Sequence, residues 1–514
     1  VEASIPFRSL RFPNGSDGQA WGVYLTRWWP RSANIEVRSA TWDRNDSCVL
    51  CQANLVTGIR GGAPGANVQL TPTFTSARNA ARADRSQALV SEPISREVGL
   101  DAQWGVTSDL TLNLTANPDF SQVEADVAQL DVNNRFALFF PEKRPFFLEG
   151  ADFFGTPVQA VFTRSIVDPT GGAKVTGKLG SNAVGVLVAQ DRANNLLIPG
   201  SQFSRTASLD DPVVTAVGRF RRDVGGTSTI GALYTSREGS GPEGSEYFNR
   251  VGGFDAFYRP IPSITLRGQI LRSSTHYPGR EAEDFVQPTG SFSGNASQLR
   301  GLWSTSSWQL SGDIRQTDPG FRADAGFITQ SGIRGGNLNL TRRWLGDSDR
   351  WFTQISLNTG TWMNRDFEGN QLNGGGWFGL VYQGPGQISV GIWPNLFMKE
   401  HYAGVTYEGM SQLYFDVRAA PSGRWSFGLN GNAGDAVDFA NEGLGSELRL
   451  APEVALRLGR NVELGLTHTF QRLDRSGQRV FAANLSQLRS VYNFSTRSFL
   501  RAIVQYRQTD RNPE

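Results

Sequence analysis

The feature that most constrains the fold is an alternation of apolar and polar side chains that recurs through most of the chain. In NVELGLTHTF, residues 461–470, Val462, Leu464, Leu466 and Phe470 share one parity; Asn461, Glu463, Thr467 and Thr469 share the other. In RWSFGLN, Trp425, Phe427 and Leu429 alternate with Ser426, Gly428 and Asn430. In QLYFDVR, Leu413, Phe415 and Val417 alternate with Tyr414, Asp416 and Arg418. A period of two sends successive side chains to opposite faces of a β-strand. WFTQISLN, SITLRGQILR and SFLRAIVQYR behave similarly. The segments run roughly 9–13 residues, the length a tilted strand needs to cross a bilayer.

From about residue 226 the connections alternate in length. Short ones fall near 260–262, 305–307, 345–350, 385–386, 419–423, 458–460 and 494–497. Longer ones lie near 238–247, 274–295, 317–331, 363–373, 396–407, 434–444 and 473–481. Such a rhythm puts every long loop on one side, as in a membrane barrel with short periplasmic turns and long extracellular loops. Soluble β-sandwiches also alternate apolar and polar residues, but have no reason to collect their long loops at one end. Composition agrees with the barrel. There are 58 Gly, 13 Trp and 11% aromatic residues, yet mean hydropathy is negative. No run of about 18 apolar residues supports a transmembrane helix. The expected fold is all-β: a large antiparallel up-and-down transmembrane β-barrel of roughly 22–26 strands. Glu447, Arg449, Glu463, Asp416, Arg418 and Arg267 are candidates for its polar interior; Trp351, Trp362, Trp425 and Tyr492 fit interfacial girdles.

Residues 1–47 lack this rhythm. SIPFRSLRF and AWGVYLTRWWP flank a PNGSDG turn and read as the end of a preceding β-domain. Residues 48–65 read as a linker carrying CVLC, and 66–514 as the barrel. Outside the cytoplasm, Cys48 and Cys51 form a disulfide candidate, with free thiols and a redox or metal role as alternatives. His276, His401 and His468 are isolated, and HExxH, GxSxG and P-loop patterns are absent. No catalytic residue, enzyme activity or cofactor is therefore expected. The net charge of +2 and the lack of a basic tract give no sign of nucleic acid.

The exception to the rhythm is 117–156, NPDFSQVEADVAQLDVNNRFALFFPEKRPFFLEGADFFGT, too long for an ordinary loop. Asp119, Glu124, Asp126 and Asp131 cluster in its first half, and Glu142, Lys143, Arg144 and Glu149 in its second. Buried charges need partners. A wide barrel lumen offers a place where the Phe groups pack and the charges pair with lumen-facing residues. The segment is expected to fold inward as a plug or to pack on the barrel mouth. A calcium site at Asp119, Glu124 and Asp126 is a weaker alternative, since the spacing is no EF-hand.

NPDFSQVEAD followed by FFPEKRPFFLEG resembles the signature of the DUF5916 family, bacterial proteins of unknown function. The resemblance implies an N-terminal carbohydrate-binding module of family 9 type and a C-terminal outer-membrane-type barrel. IPFRSLRF with WGVYLTRWW looks like the last strands of that module, and the sequence stops at TDRNPE rather than on a strand with a terminal aromatic, so truncation at both ends is expected. The expected role is a channel or a transport or export component of the bacterial outer membrane, in contact with its lipid. The alternative is a surface anchor or scaffold binding a glycan or another surface protein.

Overall fold

The structure is a computed structural model. It describes all residues except 1–3, 6–9, 11, 13–17, 31–33, 61–67, 79, 83–86, 119–125, 210, 241–245, 348–349 and 512–514. Twenty-one strands, from Gln69–Ala77 to Phe499–Arg511, close into one barrel. Sequence neighbours pair antiparallel throughout, for example Ser95–Gly105 with Leu110–Ala116 and Ile264–His276 with Ser291–Ser304. The described count lies just below the anticipated range. Two small hairpins, Ala80–Ala81 with Val90–Ser91 and Asn194–Pro199 with Ser204–Leu209, stand outside the barrel sheet.

The alternating pattern is the wall itself. In Asn182–Asp191, Ala183, Leu187 and Ala189 are buried inside, whereas Val186 and Val188 are exposed outside. The outer face carries a band of exposed large apolar residues, among them Phe254, Ile270, Ile314, Leu380 and Leu466. A water-soluble surface rarely sustains so wide an apolar area, but it matches the lipid-facing band of a bilayer-spanning barrel. The inner face holds Lys174, Arg219, Gln269, Asp313 and Asn432, all buried.

The two ends differ as anticipated for the first half of the barrel. Long connections 117–168, 192–212, 277–290 and 318–332 share one end, and tight turns such as 180–181 and 262–263 occupy the other. In the second half the anticipated long loops shrink to 366–370, 403–404, 439–442 and 476–477. The reason is that the strands run on: Val405–Ser422 and Gly443–Leu458 extend through residues that read as loop because their apolar alternation fades.

The stretch 48–65 is not wholly a linker. Asn54–Ile59 is a strand paired with Gln19–Val23; its β-branched and apolar residues favour extended backbone. Thr26–Pro30 pairs with Asn34–Arg38. Cys48 and Cys51 are joined by a disulfide. The adjoining residues dock on the tight-turn end. The Ser47 amide donates to the Pro262 carbonyl (2.8 Å), the Ser306 amide donates to Asn45 Oδ1 (3.0 Å), and Arg259 pairs with Asp46.

The two faces should respond differently to charge. Leu380→Arg on the outer band is expected to cost about 2–4 kcal/mol of folding stability in vesicles. Thr467→Arg, whose cross-strand partner is Glu453, should be near neutral. Denaturant unfolding of the reconstituted protein reads both, and equal losses would contradict the assignment of faces.

Candidate functional site

The long connection between the neighbouring strands Leu110–Ala116 and Pro169–Leu179 is the site's main element. It runs to residue 168, further than the sequence rhythm suggested, because residues 157–168 contain only a short 3-10 turn, Thr163–Ser165, before the next strand.

Its described part, 126–168, touches opposite walls of the barrel. On one wall Val132 is buried with Ala436, Leu473, Phe481 and Ala483. Asn133 donates to the Val437 carbonyl (2.8 Å), and its Oδ1 accepts from the Phe439 amide (3.0 Å). Arg135 reaches Glu400 at 2.6 Å, with its guanidinium 4.4 Å from the Phe439 ring centre. Midway, Phe139, Phe162 and Phe327 form a cluster with ring centres 5.1–5.5 Å apart. On the other wall Phe146, Phe147 and Phe154 are buried against Leu187, Val217, Leu233, Val251 and Leu271, one from each of five successive strands. The contacts on this second wall reach the body of the strands, whereas those on the first lie within the last few residues at the long-connection rim.

Local sequence explains the turn at FPEKRPFFLEG. Pro145 opens a single helical turn, Pro145–Leu148, where a missing N–H costs nothing. Gly150, at φ +65°, reverses the chain against Thr176. A ring of Phe154 lies on Gly185, where a side chain would leave little room.

The eight predicted charges separate into distinct roles. Glu142 and Arg144 form a forked pair, with Nε to Oε1 at 2.8 Å and Nη2 to Oε2 at 2.7 Å. Glu142 also accepts from the Thr163 hydroxyl (2.6 Å) and from the Lys143 and Arg144 amides. Arg144 further donates to the carbonyls of Ile166 (2.6 Å) and Thr163 (2.7 Å), with its guanidinium 4.3 Å from the Phe147 ring centre. Burial pushes the Glu142 carboxyl up, but the Arg144 and Thr163 hydrogen bonds outweigh it and hold the pKa below the ordinary value. Asp126 joins Arg164 (2.6 Å) and, more distantly, Lys143 (3.7 Å). Asp131 accepts from Asn134 within its own turn (3.3 Å). Glu149 reaches the wall through Asn113 (2.7 Å) and Gln103, and Lys174 donates to the carbonyls of Phe146 and Glu149. Asp119 and Glu124 lie outside the described residues, and with them the calcium alternative. No group of three or more His, Cys, Asp or Glu that could hold a metal occurs among the described residues. Thus most of these charges pair within the segment. Of the segment's charged side chains, Glu149 and Arg135 make direct polar contacts to the wall.

A second inward element was not recognised in the sequence. The connection 318–332 also enters the barrel, where Phe321, Arg322 and Asp324 are buried. Gly294 lets it approach the wall, since a Cβ there would overlap the Phe321 backbone nitrogen. Asp324 accepts from Tyr247 (2.9 Å) and Tyr277 (3.1 Å). Burial raises its carboxyl pKa despite these donors and the nearby Arg237 and Arg322. The available signal was FRADAGF, residues 321–327, a shorter mixture of Phe and charge like that of FPEKRPFFLEG.

Two cavities flank the crossing. One, about 470 Å³, lies between residues 128–138 and the wall bearing Glu400, Asp435, Glu447 and Arg449. The other, about 550 Å³, lies beside Thr156 and Pro157 and is lined by Arg219, Arg221, Arg267 and Arg300. Arg219 is neutralised there by Asp255 at 2.6 Å.

Comparisons with solved structures return large barrels at low identity. A point mutant of the ferric enterobactin receptor from Pseudomonas aeruginosa, in complex with enterobactin, is 11% identical with a TM-score of 0.42; the match covers 84% of this chain and 74% of that one. Pseudomonas aeruginosa OpdQ is 12% identical with a TM-score of 0.36, covering 86% and 97%. Pseudomonas aeruginosa OccK7 (OpdD) is 11% identical with a TM-score of 0.34, covering 86% and 98%. No curated protein sequence matches the chain. A family model described as a domain of unknown function, DUF5916, matches residues 67–178, the first barrel strands and the crossing segment.

Proposed function

We propose that the protein is a channel, or a transport or export component, of a bacterial outer membrane, in which residues 126–168 act as a plug. The observation that carries this reading is the continuous line of contacts from Glu400 and Leu473 on one wall, through the Phe139 cluster, to Leu187 and Leu271 on the other. Passage through a polar lumen then requires that this segment shift. The acidic and basic cavities on its two sides are the volumes that such a shift would join. The docked residues 45–47, with the strands before residue 60, form the end of a module positioned at the tight-turn mouth.

A second reading, a surface anchor or scaffold holding a glycan or a partner protein through loops and module, is favoured by one observation. The connection 318–332 is held by a fully buried carboxyl with two tyrosine donors, which suits a permanent filling better than a moving one.

The segment's ends are neighbours: the Asn117 amide donates to the Thr170 carbonyl at 2.8 Å. Replacing residues 118–168 by a tight turn should therefore leave a foldable barrel. Its single-channel conductance is expected to rise severalfold over the full protein; a folded variant with unchanged conductance would sink the plug. Arg144→Ala leaves a buried carboxylate and two carbonyls without their donor, a loss of about 3–5 kcal/mol. The segment should then become sensitive to added protease, and undiminished protection would count against the pair as the latch.

Acid should loosen the same contact. The lowered Glu142 pKa means that its stabilisation is complete above the ordinary carboxylate pKa and is lost as pH falls through the depressed folded value. Protease protection of 126–168 should therefore hold at neutral pH and fade only on strong acidification. Glu142→Gln should remove that part of the pH dependence.

A further inference from the structure

We infer that the outer face of the strands from Phe248–Ile261 to Gln354–Arg365 is a binding site for an anionic phospholipid, one whose phosphate charge is not offset by a cation in its own headgroup. This rests on the membrane reading above. Ser297, Gln316, Arg334 and Arg365 stand opposite one another on four successive strands: Ser297 faces Gln316, Gln316 faces Arg334, and Arg334 faces Arg365. Directly opposed residues share a face of the sheet. That face is the outer one, because Ile314, two residues from Gln316, is 63% exposed, while the intervening parity carries Asp313, buried in the lumen and bonded to Gln298. The two arginines lie at the long-connection end of their strands.

Like charges placed opposite each other in an antiparallel pair destabilise it. Arg334 and Arg365 are such a pair, both exposed, and among the described residues neither has a carboxylate within ion-pair distance. Arg334 is held in place by its own donors, which reach the Asp366 carbonyl at 3.2 Å and the Phe367 carbonyl at 2.9 Å. An anion between the two guanidinium groups would turn the repulsion into attraction, and a phosphate matches their planar donor geometry.

From these arginines a groove of about 890 Å³ runs toward the middle of the barrel. Its outward walls are Phe254, Ile270, Leu299 and Met363, and its floor is the outward small residues Gly268 and Gly336. Bulky residues elsewhere fill the outer band, so the glycines leave a depression that is apolar along its length and cationic at one end. An acyl chain attached to a phosphorylated headgroup has that polarity and order. A free phosphate would use the arginines alone and leave the groove empty.

The test uses the intact protein purified in neutral detergent micelles, with phosphatidylglycerol, phosphatidylcholine or inorganic phosphate added. Bound lipid is counted by native mass spectrometry. Phosphatidylglycerol should be retained at least tenfold better than phosphatidylcholine, and inorganic phosphate should not displace it at comparable concentration. The double variant Arg334→Gln, Arg365→Gln should lose that preference. Gly268→Leu should weaken retention with both arginines intact; a Cβ there sits 3.6 Å from Leu299 Cδ1, so the groove fills without a backbone clash. A difference in gel migration between unboiled and boiled samples verifies that each variant is folded. Equal retention of both lipids by the wild type, unchanged retention in the folded double variant, or displacement by phosphate alone would overturn the site. Failure of the barrel to insert into vesicles would instead overturn the membrane reading, and the micelle measurement separates the two.

Discussion

Closure of the backbone hydrogen-bond ladder is the constraint on which everything else depends. An open sheet of this size would present unpaired N–H and C=O groups to a medium that cannot bond them. Closing twenty-one strands removes those edges but creates a wide interior. Every later feature answers the question of what occupies it. The chain uses its own connections: 126–168 crosses between walls, and 318–332 enters beside it. The wall is shaped for them, with Leu187, Val217, Leu233 and Leu271 turned inward where a water-filled lumen would carry polar groups.

Inside, apolar and ionic terms have different tasks. Burying Phe146, Phe147 and Phe154 supplies about 1.5–3 kcal/mol each and gives the segment its affinity for the wall. The forked Glu142–Arg144 pair adds little net stability once desolvation is counted, because removing two charges from water offsets most of their attraction. It fixes shape instead. By gathering the carbonyls of Thr163 and Ile166, Arg144 ties the two halves of the connection together and satisfies groups that would otherwise be buried without donors.

The fold was legible because alternation is a property of short windows. Val462, Leu464 and Leu466 declare a strand without knowledge of its neighbours. FPEKRPFFLEG was legible as an inward candidate for a similar reason: its Phe content and its charge cannot both be satisfied in water or in lipid. Which charge meets which partner was not legible. Arg164 lies 38 residues from Asp126, a pairing set by how the connection folds back on itself, and Arg135 meets Glu400 across 265, a pairing set by the closed barrel; neither follows from spacing. The connection 318–332 went unrecognised because it has only Phe321 and Phe327 to advertise it, and Gly294, which admits it, belongs to another strand. The strand Asn54–Ile59 was missed because a short segment beside a CxxC and a glycine-rich stretch carries little periodicity.

The number of strands has a consequence for symmetry. An even count lets every neighbour run opposite to the next; an odd count cannot. Twenty antiparallel steps separate Gln69–Ala77 from Phe499–Arg511, so these two strands point the same way where the ring closes. Parallel contacts are slightly weaker per residue, and Pro72 leaves the first of these strands one backbone donor short. The cylinder therefore has a grain. One line along its length is chemically distinct from the rest, and only Gln69–Ala77 separates it from Ser95–Gly105, whose Gln103 helps to hold Glu149. Slack in that seam would reach the inward segment through a single intervening strand.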